Sequence, residues 1–319
     1  MPTPYDVIVI GGGAAGLAGA VTLGRARRSV LVVDAGEPRN APAAGVHTFL
    51  SREGVSPREL VRTGRAEVAA YGGELREGTV TDAHREDGLF RVALADGSSA
   101  TARRLLVTTG VTDELPPVPG LAALWGKDVL HCPYCHGWEA QDLPTGVLAT
   151  GPLAVHQALL WRQWTKELTL FTHTTSGPTA EEREQLEARG TRIVEGEVAG
   201  LATDAEGRLA GVELADGSTV PVRALATGGT LAARAGFLTG LGLATVPVEV
   251  GGTVVGSRLD TDPTGLTSVP GVWAAGNVAS PTDQVVLSAG AAVRAAAMLN
   301  MDLVTEETRL AVEAHRAAR

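Results

Sequence analysis

A short apolar run, Val7-Ile8-Val9-Ile10, ends in Gly11-Gly12-Gly13-Ala14-Ala15-Gly16. Helix-compatible residues follow from Leu17 to Arg27, and a second apolar run, Val30-Leu31-Val32-Val33, ends in Asp34. Few folds accommodate that string. Strand, glycine turn, helix, strand and acid make the first βαβ unit of a dinucleotide-binding sheet. Gly11 permits the tight turn, Gly13 lets a pyrophosphate approach the backbone, and Gly16 lets the helix pack close to the strand. The first N–H groups of the helix remain for phosphate oxygens. Asp34 stands eighteen residues beyond Gly16, where a ribose-binding acid belongs.

The chain repeats parts of this plan. Leu94-Ala95-Asp96-Gly97-Ser98 leads to Thr109-Gly110, and Leu214-Ala215-Asp216-Gly217-Ser218 leads to Thr227-Gly228. Each Asp-Gly turn separates two β-like runs, as in a hairpin. Two copies of one device, 120 residues apart, indicate two related nucleotide-type domains and an α/β fold. A second strand-turn-helix begins at Val147-Leu148 and passes through Ala149-Thr150-Gly151-Pro152-Leu153-Ala154 to a helical stretch ending near Lys166. The spacing fits, but the chemistry departs. Ala149 replaces the first glycine, and Pro152 removes an N–H donor. The next strand, Leu168-Thr169-Leu170-Phe171, is followed by Thr172-His173-Thr174-Thr175. No acid is there for a ribose 2′-hydroxyl and no arginine for a 2′-phosphate. This domain reads as a nucleotide fold that has lost its nucleotide.

The only two cysteines stand three apart, as Cys132-Pro133-Tyr134-Cys135. Two sulfurs at this spacing can close a reducible ring, and each thiol favours ionisation of the other. A chain of 319 residues buries enough surface to need no disulfide staple, so the pair is free to be chemical. The net charge of −9 argues against nucleic acid and anionic membrane as partners. No stretch is read as approaching a membrane span of ~20 apolar residues. The N-terminus lacks the basic start of a signal peptide, so the expectation is cytoplasmic. In that setting a CxxC pair is catalytic or metal-binding more often than structural. Zinc could take His131, Cys132, Cys135 and His136, but four ligands within six consecutive residues could hardly surround one tetrahedral ion. A glutaredoxin-type Cys-Pro-Tyr-Cys is the other bland reading, and its position between two dinucleotide-type units argues against it. His131 and His136 flank the pair, and thiol exchange needs a group that moves protons near neutral pH. His136 is preferred as the acid or base, and His47 could face the same pocket. Tyr134 and Trp138 could line a substrate site or the core; Trp161 and Trp164 read as core or interface.

Taken together, these pieces resemble the low-molecular-weight thioredoxin reductase family of flavoproteins. The resemblance is carried by Gly11 to Gly16, Thr109-Gly110, Cys132 to Cys135, Gly271 to Val278, and Gln284 with the small-residue helix after it. It implies two Rossmann-like, three-layer domains, the second inserted into the first. The outer domain, residues 1–114 and 246–319, would hold FAD; the inserted one, 115–245, would carry the CxxC. On matching positions it implies FAD contacts from Gly11, Gly13, Ala14, Ala15 and Gly16. Further contacts would come from Asp34, Ala35, Arg39, Asn40, His47, Val80, Thr109 and Gly110, and from Gly276, Asn277, Gln284, Val285 and Val286. Asn277 stands where the family usually has an aspartate near the ribityl chain, and its side-chain oxygen can still accept a hydrogen bond. A homodimer is implied as well.

Two departures direct the functional expectation. The second fingerprint is spoiled, and Thr174-Thr175 stand where NADPH-binding members have paired arginines. The segment His131-Cys132-Pro133-Tyr134-Cys135-His136-Gly137-Trp138-Glu139 has His136 where reductases carry an aspartate. With Val46-His47-Thr48-Phe49-Leu50 upstream, it looks like the FAD-dependent dithiol oxidases of gliotoxin and holomycin biosynthesis. Those enzymes close a disulfide in a small dithiol of dithiolopyrrolone or epidithio type and pass the electrons to O2, giving H2O2. Three rivals stay open: an NADPH-dependent thioredoxin reductase, a reductase fed by ferredoxin or flavodoxin, and a non-enzymatic flavin redox sensor.

Overall fold

The computed structural model describes residues 3–319, so the first two residues of the expected outer domain lie outside it. The opening apolar run forms β1 (Tyr5–Ile10), followed by α1 (Ala14–Arg25), β2 (Val30–Asp34), α2 (Pro57–Ala70) and β3 (Glu74–Glu77). Val7 to Ile10 and Val30 to Val33 are buried throughout. Strands covered on both faces read as unbroken apolar runs, which is why neither alternates. α2 starts cleanly because Ser56 accepts the Glu59 N–H and Pro57 sits at the first helical position. β4 (Val80–Glu86), β5 (Leu89–Leu94) and β6 (Ser99–Val107) then fold back as an antiparallel meander.

The chain next lays down β7 (Val111–Glu114), α3 (Leu121–Leu124), β8 (Val129–Leu130), α4 (Pro133–His136), β9 (Thr145–Leu148), α5 (Ala154–Trp161) and β10 (Leu168–Phe171). After α6 (Ala180–Ala188) and β11 (Arg192–Val194) comes a second meander of β12 (Val198–Thr203), β13 (Leu209–Leu214) and β14 (Thr219–Pro221). β15 (Ala224–Thr227), β16 (Thr230–Ala233), β17 (Thr245–Val250), β18 (Thr253–Leu259), β19 (Val272–Ala274) and α7 (Val285–Ala317) complete the chain.

Two sheets result whose parallel strands follow matching orders. The first runs β3-β2-β1-β6-β19 and the second β11-β10-β9-β15-β8. Each sheet has an apolar cluster on both faces, which makes two three-layer Rossmann-like units. The duplicated Asp-Gly device is reproduced down to its bonds. Asp96 Oδ1 accepts the Ser98 N–H at 2.8 Å and its hydroxyl at 2.7 Å, and Asp216 does the same for Ser218 at the same distances.

The return to the outer unit falls earlier than the residue 246 read from sequence. β16 pairs with β7, and Ala235, Leu238 and Leu243 are buried in the outer unit's core beside Ile8 and Leu105. Gly228-Gly229 therefore precede the crossing back.

α7 is a second difference. It is the one described helix long and apolar enough, by length and composition, to cross a membrane, where the sequence reading expected none. One face packs Ala292, Ala295, Ala296, Leu299 and Leu303 into the outer core. Burying a leucine there contributes roughly 1.5–3 kcal/mol. Gly19 lets α1 lie close against β6, since a Cβ there would stand 2.6 Å from Leu106 Cδ2. Arg103 fastens the later turns through Glu306 and Glu307.

Candidate active site

β8 delivers His131 and Cys132 to the start of α4. Cys132 is the N-cap of that helix, and its carbonyl accepts the N–H groups of Cys135 and His136, each at 3.2 Å. Pro133 at the first helical position fits the turn, because a missing N–H costs nothing there. Both cysteines are free thiols and part-buried. The hydrogen bond from Cys135 stabilises the Cys132 thiolate first. Backbone N–H groups of Cys135 and Tyr134 and the Gln284 side chain add to it, and against burial they bring the Cys132 pKa down to about 7. Cys135 goes the other way, pushed up by its bond to Cys132, by burial and by the neighbouring thiolate. The pair thus holds one proton near neutral pH, and Cys132 is its nucleophilic sulfur.

Burial lowers the pKa of both flanking histidines. His131 Nδ1 lies 3.4 Å from the Thr227 carbonyl oxygen. His136 is raised in part by the charge of Glu139 and lowered further by His47 and His131. A neutral, half-buried imidazole next to the cysteine pair can accept a proton at pH 7. His47 stands between two carboxylates, with Nδ1 2.6 Å from Glu53 Oε1 and Nε2 3.3 Å from Glu139 Oε1. It lines one cavity with the cysteines.

The same cavity, of about 1730 Å³, reaches from the cysteines to the first glycine loop. Gly11 adopts φ +104°, and a Cβ on it would strike the Thr108 carbonyl at 2.5 Å. Gly13, the N-cap of α1, has open space where a side chain would stand, and no side chain caps that helix. Free helix N–H groups facing an open cradle suit a pyrophosphate. Asp34 accepts the Gly12 N–H through Oδ1 and Arg65 through Oδ2, and a carboxylate with about four acceptor sites keeps capacity for a ribose. Asn277 donates its Nδ2 to the carbonyls of Ser280, Pro281 and Asp283, which leaves Oδ1 as its free acceptor. These residues fit an FAD laid along the cavity.

Cys132, Cys135, His131 and His136 all line that cavity, as do Ala14, Ala15, Ala35, Asn40, Val80, Thr109 and Gly110. Arg39 lines it too, but its guanidinium is held in a fork by Asp113 at 2.7 and 2.5 Å. Gln284 and Val285 reach the cavity and Val286 does not, since the next helical residue turns roughly 100° away. Gly16 and Gly276 lie outside the lining and act through packing: a Cβ on Gly16 would meet the Gly11 oxygen at 1.8 Å, and one on Gly276 would meet Ala15 at 2.8 Å. Trp138 is 71% exposed and Tyr134 58%, so neither is core; Trp161 is buried. Glu139, Glu53 and Asp113 were not singled out from sequence. Glu139 sits within the cysteine segment, and its spacing from His136 was the available signal.

The second loop is built differently. Ala149 N–H bonds the Phe171 carbonyl at 2.9 Å, as Gly11 N–H bonds Val33 at 2.8 Å, so the strands correspond. Beyond β10 the resemblance to a nucleotide site ends. His173 adopts φ +50° and its Nδ1 accepts the Val198 N–H, while Thr175 bonds back to the Thr172 carbonyl. The small cleft beside this turn is lined by Pro116, Pro117, Thr150, Thr174 and Glu197, with no lysine or arginine in its walls.

A family model for pyridine nucleotide-disulphide oxidoreductases matches residues 5–317. The chain is 32% identical over 315 residues to thioredoxin reductase sirT of Leptosphaeria maculans, covering 94% of each chain. It is 32% identical over 282 residues to thioredoxin reductase tcpT of Claviceps purpurea (strain 20.1), covering 85% of this chain and 86% of that one. Among solved structures it matches HlmI with a TM-score of 0.91 at 46% identity, over 100% of this chain and 99% of that one. An oxidoreductase from Agrobacterium tumefaciens matches with a TM-score of 0.88 at 38% identity, over 95% and 99%.

Proposed function

The chain belongs to the pyridine nucleotide-disulphide oxidoreductase family, and from that premise we propose that it is an FAD-dependent dithiol oxidase acting on a small molecule. The coarser statement is secure: it is a redox enzyme with a thioredoxin reductase-like fold, in a family that is flavin-dependent. The observation that carries the finer reading is the contrast between the two loops that line the cavity. The first presents glycines, free helix N–H groups and Asp34, while the second, Thr150 to Ala154, presents Pro152, and neither an acid nor an arginine follows β10.

In the oxidised enzyme a substrate thiol attacks Cys132, forming a mixed disulfide and releasing Cys135. His136, kept neutral by burial, takes the substrate's proton. The second substrate thiol attacks its own mixed-disulfide sulfur and expels Cys132. A thiol whose pKa is near 7 is a good leaving group at neutral pH. The cyclic disulfide departs and the enzyme keeps two thiols. FAD, when bound, accepts the two electrons that return the pair to a disulfide and passes them to O2 as H2O2. The charges of Glu139 and His47 act on His136, and His47 links Glu139 to Glu53.

The runner-up is a thioredoxin reductase, fed by NADPH or by a ferredoxin or flavodoxin; the relatives sirT and tcpT bear that name. We assign a cytoplasmic setting and a homodimer, for which the exposed Met298, Met301 and Val304 of α7 offer an apolar strip. The test is to give the purified protein a small dithiol in air and, separately, NADPH. Peroxide release with the dithiol and a slow or absent NADPH reaction are the expected outcomes.

A further inference from the structure

Thr48 is a β-branched residue held at φ +57°. Such a residue in the left-handed region is a true outlier and persists only where its surroundings over-determine it. Three contacts do so. Glu53 Oε2 accepts the Thr48 N–H at 2.9 Å, Glu53 Oε1 holds neighbouring His47 at 2.6 Å, and the Thr48 hydroxyl donates to Gln284 Oε1 at 3.0 Å. Gln284 is the N-cap of α7, yet its side chain does not cap that helix. It lines instead the cavity that Cys132 lines, and it is among the groups that lower the Cys132 pKa.

A carboxamide presents an oxygen on one side and an NH2 group on the other. A donor at its oxygen leaves the NH2 group for the sulfur. A flipped amide would place a carbonyl against a thiolate and repel it. We propose that Thr48 is a positioning residue for Cys132: by donating to Gln284 Oε1 it keeps the amide N–H on the Cys132 sulfur and biases the shared proton toward Cys135. The strained backbone is then the means by which the loop aims one hydroxyl. The inference rests on the thiol-exchange reading, because that reading needs Cys132 to be the attacked and departing sulfur.

Other charges around the pair come from several elements. Cys135 and His136 belong to α4, His131 precedes it, and Asp283 precedes α7. Arg39 is clamped by Asp113, and His47 brings Glu53 and Glu139. Among the described residues the hydrogen bond to Gln284 Oε1 comes from Thr48, so removing the Thr48 hydroxyl addresses that contact.

The experiment is alkylation of the reduced holoenzyme with iodoacetamide across a range of pH, with the modified cysteine identified by peptide mass spectrometry. Thr48→Val is expected to slow Cys132 alkylation at neutral pH by about three- to tenfold, as for loss of one hydrogen bond, and to move its profile to higher pH. Thr48→Ser retains the hydroxyl and should restore the wild-type profile. Gln284→Leu should match Thr48→Val, and the double variant should be no slower than Gln284→Leu alone. An unshifted profile in Thr48→Val, or fully additive losses in the double variant, overturns the proposal. If Thr48→Val fails to fold, Gln284→Leu alone and combined with Thr48→Ser decides: an unshifted Gln284→Leu profile overturns it. Alkylation needs neither substrate nor oxygen. A wild-type enzyme that releases no peroxide would therefore sink the oxidase reading and leave this test standing.

Discussion

The loops after β1 and after β9 begin from the same hydrogen bond and end in opposite chemistry. In each, the first loop N–H reaches back to the strand beside it. The first loop then offers glycines, free helix N–H groups and Asp34; the second offers Thr150, Pro152 and a turn closed on its own threonines. The sheets behind them have matching strand order. The two units share strand order and differ in loop composition, which is possible because strand burial and loop composition are separate demands.

Variants in the two loops should respond unequally. The largest effect is expected at Gly16→Val, whose Cβ would lie 1.8 Å from the Gly11 oxygen. It should cost about 3 kcal/mol or more and release the flavin, as seen by denaturant unfolding and flavin absorbance. The counterpart Ala154→Gly should cost only about 1 kcal/mol. Cys132→Ser should lower steady-state dithiol oxidation by at least ~10³-fold while flavin stays bound. Full activity in that variant would remove sulfur exchange from the account.

Asp34→Asn should weaken FAD binding roughly 10- to 100-fold by calorimetry, since it trades charge-assisted bonds for neutral ones. Thr172→Val, at the matching end of β10, should leave FAD affinity unchanged. The pH profile probes the sulfur side. As pH falls through about 7, the free Cys132 of the reduced pair gains its proton and is no longer the thiolate from which the disulfide re-forms. His136, lowered by burial, protonates only at more acid pH. Initial rates should therefore drop on the acid side beginning near 7, and a flat profile from roughly 6 to 8 would contradict the assignment. The smallest effect is expected from Ala149→Gly with Pro152→Ala. That repair supplies a glycine and an N–H but no partner for ribose or phosphate, so NADPH should still fail to bleach the flavin. Rapid bleaching would place the whole block in the loop.

The first βαβ unit was legible because its signal is local: two buried runs, three spaced glycines and an acid. The duplicated Asp-Gly hairpin was legible for the same reason. The return to the outer unit was not, since β16 is four residues long and takes its identity from pairing with β7, over a hundred residues earlier. The cysteines, His131 and His136 could be named from one segment. Their setting could not, because Thr48, Arg39 and Gln284 reach the site from distant elements. Arg39 and Gln284, both expected as cofactor contacts, line the cavity, and the sequence does not show that Asp113 forks the first or that Thr48 bonds the second.

The central claim concerns where electrons enter, and one anaerobic titration tests it. The flavin absorbance of the FAD-loaded enzyme is followed while NADPH is added to one sample and a small dithiol to another. The account expects the dithiol to bleach the flavin at a rate fast enough for turnover, NADPH to leave it oxidised, and admitted air to restore the colour with one H2O2 per dithiol consumed. Rapid bleaching by NADPH with an inert dithiol would contradict it and make the enzyme a reductase.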